Sequence, residues 1–167
     1  IEFGGESGAP LLREHKNLLL VSTFSKSFSL AGLRLGFVMA ARELIDALTT
    51  VKDSFNSYPV STLAQRIGEI ALSDGSYYQS INSKIISVRE RFSSDLGKLG
   101  WTVIPSKANF VFARKGGVPG KEIYLKLKER GILVRHFDGE KVRDFVRITI
   151  GTHEDMERMI DELKSIF

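Results

Sequence analysis

One long run of apolar residues at helical spacing, a helical stripe, divides this 167-residue chain into two parts with different sequence patterns. Its apolar residues are three or four positions apart, which is the spacing of a single helix face, and Gly100 ends the pattern. Short apolar runs alternate with loops and helical segments on both sides of it, as is typical of α/β structure. We therefore predict two α/β regions joined by a long helix. The stripe consists of Ile81, Ile85, Val88, Phe92, Leu96 and Leu99.

The predicted domains follow from this division. Residues 1–58 are predicted to end a larger α/β domain, 59–100 to form connecting helices, and 101–167 to form a small C-terminal α/β domain with the order β-β-α-β-β-α. The apolar run 18–21 predicts a strand buried on both faces, as in a parallel sheet covered by helices. Because Ile1 is not a methionine, we expect these residues to be a fragment of a longer protein.

Composition excludes several classes of protein. Lys and Arg number 24 against 20 Asp and Glu, a formal net charge of +4, but the signs alternate along helical stretches, so no nucleic-acid partner is predicted. Cysteine is absent and the three histidines are scattered, so we predict no disulfide and no metal site. No apolar run approaches the ~20 residues of a membrane span. We expect a cytoplasmic protein without a membrane partner.

A hydroxyl-rich loop after the first predicted strand carries the candidate chemistry. Three hydroxyl side chains, Thr23, Ser25 and Ser27, flank Lys26, and Arg34 follows eight residues after the lysine. Ligands of open α/β sheets bind at the carboxyl ends of strands. Hydroxyls and a guanidinium suit a phosphate dianion, and a lysine that loses its proton forms an imine with a carbonyl group. Together they indicate pyridoxal phosphate as the cofactor, the alternative being a surface lysine.

Residues 23–37, TFSKSFSLAGLRLGF, resemble the T-x-S-K-x-x-x-L-A-G-x-R-x-G signature of class I and II aminotransferases. The resemblance implies that Lys26 is the catalytic lysine that binds the cofactor covalently. It also implies that Ser25 and Arg34 hold the cofactor phosphate, with Thr23 beside them. The expected fold class is therefore α/β, the C-terminal portion of a pyridoxal-phosphate-dependent transferase fold. The first predicted domain would be the end of its large parallel-sheet, cofactor-binding domain.

Two later segments resemble the histidinol-phosphate branch of this family. Residues 105–110, PSKANF, are similar to its P-S-x-A-N-F segment, and 145–152, FVRITIGT, to its L-R-I-T-I-G-T segment. The resemblance implies that Arg147 and Asn109 contact the substrate, and a looser likeness after the first helix adds Asn56. Alternation in the last strand turns the arginine away from its apolar neighbours, and burying it would require an anionic partner. A local acid paired with it is the alternative.

The resemblance also implies a reaction. Histidinol phosphate and 2-oxoglutarate would give imidazole-acetol phosphate and glutamate, a step of histidine biosynthesis, in a homodimer whose other partners are small-molecule substrates. An aromatic aminotransferase, a threonine-phosphate decarboxylase of the same fold and a non-catalytic module with a relic site are the alternatives. Because the family's other cofactor-binding residues lie upstream of the matched segment, we expect the 167 residues to be inactive by themselves.

Overall fold

The computed structural model describes all 167 residues, which form two compact units, Ile1–Ser80 and Ile81–Phe167. The boundary between the units falls within one long helix. The domain boundaries proposed from the sequence, after residues 58 and 100, stay a prediction. No helix combines the length and apolar character needed to cross a bilayer.

The first unit contains a two-stranded sheet followed by helices. Its strands are antiparallel, with Val21 opposite Val38. Gly68 and Ala64 are buried in the second α-helix of the unit, where a Cβ at Gly68 would meet the Leu35 side chain. The elements are the short 3-10 helices Ala9–Arg13 and Ala31–Leu33, strands β1 (Leu19–Thr23) and β2 (Gly36–Ala40), helices α1 (Arg42–Phe55) and α2 (Thr62–Ser73), and the start of α3 (Gly75–Lys98).

Strand β1 is less buried than its sequence predicts. Val21 is 77% exposed and Leu19 41% exposed. The prediction that this run is buried on both faces is wrong here, because β2 is its one neighbour in the sheet and neither face is fully covered. The ladder is also antiparallel, not the parallel one expected for this part of the chain. Only a single turn of 3-10 helix interrupts the connection, which lacks the crossover helix that joins parallel strands.

The second unit packs a four-stranded antiparallel sheet against helices, and its elements follow the predicted order β-β-α-β-β-α after the long helix. One sheet face supplies Val111, Ala113 and Val146 to the core, where they meet Leu127 and Leu163 of the helices. These side chains are at most 1% exposed. After α3, the elements are β3 (Trp101–Ile104), β4 (Phe110–Lys115), α4 (Gly120–Glu129), β5 (Arg135–His136), β6 (Val146–Thr149) and α5 (His153–Ile166), with the strand order β3-β4-β6-β5.

The predicted helical stripe packs as part of this core. Phe92 and Leu96 of α3 are buried, and Ile85, Val88 and Leu99 pack partly buried against the same cluster. The helix begins at Gly75, several residues before the stripe, because the exposed residues of its first turns carry no apolar periodicity from which its start could be read. The stripe therefore identifies the packed part of the helix and not its full length.

A capping box starts α5. The Asp155 N–H donates to Thr152 Oγ1 (3.1 Å), and the Thr152 N–H donates to Asp155 Oδ2 (3.0 Å). The hydrogen bonds from the Thr152 backbone, and then from its hydroxyl, lower the pKa of Asp155. A lowered carboxyl pKa stabilises the fold above the unfolded-state pKa of about 4, and this contribution is lost as the pH falls through the folded-state pKa.

Gly120 lies where α4 touches the backbone that leads into β6. A Cβ at this position would lie 2.7 Å from the carbonyl oxygens of Arg143 and Phe145, so the backbone would have to move. We expect Gly120→Ala to lower the free energy of unfolding, measured in urea, by about 1–3 kcal/mol, the usual cost of overpacking. Gly116→Ala is the matched control, because a Cβ there meets nothing within 4 Å. Equal effects of the two substitutions would contradict this account.

Candidate functional site

Lys26 lies in a tight loop directly after β1. Backbone hydrogen bonds close this loop: the Phe24 N–H donates to the Leu35 carbonyl (3.1 Å), the Leu30 N–H to the Phe24 carbonyl (3.0 Å), and the Ser29 N–H to the Lys26 carbonyl (3.0 Å). Ser29 adopts a left-handed backbone with φ of 55°, which turns the chain sharply. The lysine side chain is exposed. The loop therefore has a defined backbone that exposes the Lys26 side chain.

The buried Phe24 side chain anchors this lysine loop to the interior of the first unit. Its ring is 4% exposed and lies 4.9 Å from the ring of Phe28 and 5.9 Å from that of Phe37, centre to centre. Phe28 in turn contacts Tyr78 at 5.0 Å. Aromatic pairs in tilted and edge-on arrangements add to the stability of a cluster beyond their buried area. The apolar residues between the hydroxyls thus explain why this polar loop has a fixed position in the first unit.

Arg34 and the predicted phosphate-binding hydroxyls lie in the same unit. Arg34 has a left-handed backbone (φ 54°), and its Nη1 donates a long hydrogen bond to Ala31 O (3.4 Å). The Thr23 hydroxyl accepts a long hydrogen bond from the Ser25 N–H (3.4 Å). The ion pairs of the first unit all involve other residues, so neither Lys26 nor Arg34 is neutralised by a carboxylate. Uncommitted cations and hydroxyls of this kind fit a cofactor that carries a phosphate and a carbonyl.

Arg147 lies on the face of β6 that points away from the core. Its neighbours Val146 and Ile148 are buried, whereas Arg147 is half-buried. The guanidinium carbon lies 5.3 Å from the ring centre of Phe110 and 5.9 Å from that of Phe137. Its Nε is buried and has no hydrogen-bond partner, and no acid pairs with the side chain. The local acid considered as an alternative is therefore absent, and the buried Nε donor remains unsatisfied within the chain.

Asn109 immediately precedes β4, next to the same strand pair. Its carbonyl accepts the Ile150 N–H at 2.9 Å, which ties the loop to the end of β6. The buried Arg89 supports the loop by donating from Nη1 to Ala108 O at 2.9 Å, and Ser106 Oγ accepts the Ala108 N–H at 3.1 Å. Because Asn109 is held through its backbone, its side-chain amide remains available.

Arg135 is a residue to which the sequence pattern assigns no role. It lies directly opposite Arg147 in the pairing of β5 with β6. Its guanidinium carbon lies 5.3 Å from the ring centre of Phe137. Two like charges at opposed positions repel each other across a sheet. The only sequence signal was a lone arginine near a short strand, and the register of that strand could not be predicted.

The predicted site residues fall into groups according to their unit. Asn56 caps the C-terminal end of α1 and is exposed, and its Oδ1 accepts the Tyr58 N–H at 3.2 Å, so its side-chain hydrogen bond is local to the chain after α1. Four of the predicted residues lie in or next to the lysine loop, between the end of β1 and the start of β2, and two lie on or next to the antiparallel pair β4–β6. The first group is Thr23, Ser25, Lys26 and Arg34; the second is Arg147 and Asn109.

The chain belongs to the aminotransferase family of classes I and II. Residues 1–163 match the family described as "Aminotransferase class I and II". This match confirms the family inferred from residues 23–37.

The similar proteins include histidinol-phosphate aminotransferases. The one from Syntrophus aciditrophicus is 57% identical over 100% of this chain and 46% of its own length. The crystal structure of the one from Clostridium acetobutylicum has a TM-score of 0.87 at 24% identity, over 98% of this chain and 50% of that one. The one from Sinorhizobium meliloti, in complex with pyridoxal-5'-phosphate, has a TM-score of 0.74 at 22% identity, over 91% and 42%.

The similar proteins show the fold class of the chain and how much of that fold the chain covers. The chain spans about half the length of the curated relatives it matches. The same holds for the solved structures, where about half of each neighbour superposes on nearly all of this chain. The predicted class, an α/β portion of the pyridoxal-phosphate-dependent transferase fold, is confirmed.

Proposed function

We propose that the whole protein transfers the amino group of histidinol phosphate to 2-oxoglutarate, giving imidazole-acetol phosphate and glutamate in histidine biosynthesis. The observation that carries this proposal is the buried Nε of Arg147, which has no hydrogen-bond partner. The 57% identity to the histidinol-phosphate aminotransferase of Syntrophus aciditrophicus supports the choice of substrate. Pyridoxal phosphate as its cofactor, a cytoplasmic location and a homodimer belong to the same proposal.

Four residues of the first unit would hold pyridoxal phosphate. When bound, the cofactor supplies an electron sink for the charge that develops at the substrate Cα. Lys26 would hold it through Nζ, and Ser25 and Arg34 would bind its phosphate with help from the Thr23 hydroxyl. The support is that neither cation is paired with an acid, while the buried Phe24 fixes the loop backbone that carries Lys26.

Lys26 would also move the proton during the reaction. As a general base, its amine would accept the proton from the substrate Cα. As a general acid, it would then donate that proton to complete the amino transfer. The ordered loop favours this role, because a general base must be held within hydrogen-bond reach of the proton that it takes. The hydrogen bonds of Ser29 and Leu30 to the loop backbone supply that order.

The anionic end of the substrate would bind between Arg147 and Arg135. The two guanidinium groups lie at opposed positions and neither is paired with an acid, so they repel each other. An anion that binds both would remove this repulsion. A planar fork binds a phosphate or a carboxylate equally well in geometry, so the pair would serve histidinol phosphate in one half-reaction and glutamate in the other. Asn109 would donate its free amide to the substrate. Asn56 stays a substrate-binding prediction without a supporting contact.

A substrate comparison tests this function. The complete gene product that contains these residues, loaded with pyridoxal phosphate, should form 2-oxoglutarate from glutamate when imidazole-acetol phosphate is supplied. The same preparation is given aromatic keto acids in one arm and threonine phosphate in another. Preference for the aromatic acids, or release of carbon dioxide from threonine phosphate, would replace this proposal with the corresponding alternative. Failure to bind the cofactor at all would indicate a non-catalytic module.

A further inference from the structure

Phe137 is the one ring that contacts both arginines of the candidate anion site. It directly follows β5, and its centre lies 5.3 Å from the guanidinium carbon of Arg135 and 5.9 Å from that of Arg147. The ring is 37% exposed, so it is not part of the core of the second unit. Its position near the two cations therefore does not follow from the packing of that core.

A ring and a carboxylate hold a guanidinium in different ways. A carboxylate accepts hydrogen bonds from the N–H edge and uses up the donors, whereas a ring lies against the flat face and leaves the edge free. The nearest acid in sequence, Asp138, is 91% exposed and lies 3.7 Å from His136 instead of pairing with either arginine. At this site the chain uses the arrangement that orients the arginines and preserves their donors.

We propose that Phe137 is a positioning residue that holds Arg135 and Arg147 so that both bind a single dianion. A phosphate dianion has enough oxygens to accept from two forks, while one carboxylate is satisfied by a single fork. By holding both arginines, Phe137 therefore strengthens the binding of a phosphate more than that of a carboxylate, which a single arginine still binds. The identity of the phosphate compound rests on the proposed function, whereas the binding of the anion does not.

The test compares phosphate with acetate on variants of the complete, cofactor-loaded gene product. Isothermal titration gives the dissociation constants of inorganic phosphate and acetate for wild type, Phe137→Leu and Phe137→Tyr, and Arg147→Ala identifies the site by losing phosphate binding. We expect Phe137→Leu to weaken phosphate about tenfold, from the loss of two cation–ring contacts, and acetate less than threefold. Phe137→Tyr keeps the ring and should stay within about twofold of wild type.

The control removes a ring under a cation elsewhere in the same unit. Tyr124→Leu does so, because Lys128 lies 5.9 Å from the Tyr124 ring centre, and it should leave phosphate binding unchanged. Thermal unfolding checks that each variant folds, and Phe137→Met, which keeps the bulk without the ring, replaces the leucine variant should that one not fold. For histidinol phosphate, KM should rise about tenfold in Phe137→Leu with little change in kcat.

Two results would overturn the role of Phe137. One is unchanged phosphate binding in a folded Phe137→Leu while Arg147→Ala loses it. The other is an equal loss for phosphate and acetate, which would indicate general damage to the strand. If wild type binds phosphate in the expected pattern but does not transaminate histidinol phosphate, the proposed function fails and the positioning role stands.

Discussion

Replacing Lys26 by alanine should reduce transamination by the complete gene product roughly 10⁴-fold or more. The amine is proposed both to hold the cofactor and to move the proton at the substrate Cα, and no other lysine is present in the closed loop of residues 24–30. The cofactor phosphate would still find Ser25 and Arg34, so weakened cofactor binding should persist. Steady-state kinetics and absorbance titration with pyridoxal phosphate measure the two effects separately.

Lys16→Ala is the control for this experiment. Lys16 is an exposed lysine of the same unit that lies before β1 and outside the loop, so its loss should leave turnover within twofold of wild type. Turnover by Lys26→Ala within tenfold of wild type, in protein shown to be folded, would remove Lys26 from the chemistry.

Arg147→Ala should lower kcat/KM for both histidinol phosphate and glutamate about a hundredfold, while cofactor binding is unchanged. A charge-assisted hydrogen bond to a ligand is worth about 2–3 kcal/mol, and that range corresponds to this factor at its upper end. Arg147→Lys should recover part of the loss, because an ammonium supplies the charge without the bidentate fork. Steady-state kinetics with each substrate in turn measure the effect.

The matched control for this substitution is Arg158→Ala. Arg158 is an exposed arginine on α5 whose Nη2 makes one long hydrogen bond to Arg130 O (3.4 Å), so removing its charge changes the second unit without touching the sheet face. We expect kinetics close to wild type. If Arg147→Ala behaves like Arg158→Ala with both substrates, Arg147 does not contact them.

The helices and the family were predictable because their signals are local. The apolar positions of α3 recur every three or four residues, so the pattern can be read without knowing what packs on it. The Lys26 loop was predictable for a related reason, since its residues are neighbours in sequence and their types alone indicate a phosphate and a carbonyl.

Burial and pairing depend on distant residues and were not predictable in the same way. The apolar run of β1 indicates a buried strand, yet its burial depends on which other strands flank it, and in this unit one does. The partner of Arg147 was left open between an acid and a ligand. Two aromatic rings flank it instead, one from β4 and one after β5, and no spacing along the chain reveals this arrangement.

The position of Arg135 opposite Arg147 could not be predicted from the sequence. Strand β5 has only two residues, so it carries no alternation from which a face or a register could be inferred. The opposition of Arg135 to Arg147 follows from strand pairing alone. The sequence therefore indicates only Arg147 of the proposed anion site, whereas Arg135 and the Phe137 ring near both arginines follow from the strand pairing.

Borohydride reduction tests whether Lys26 holds the cofactor, because it fixes pyridoxal phosphate permanently to the lysine that binds it. The complete gene product would be loaded with cofactor, reduced, digested and analysed by peptide mass spectrometry. We expect the label on Lys26, in the peptide that contains Thr23 and Ser25, and no label on the Lys26→Ala protein. A label on any other lysine, or unlabelled wild-type protein, would contradict it.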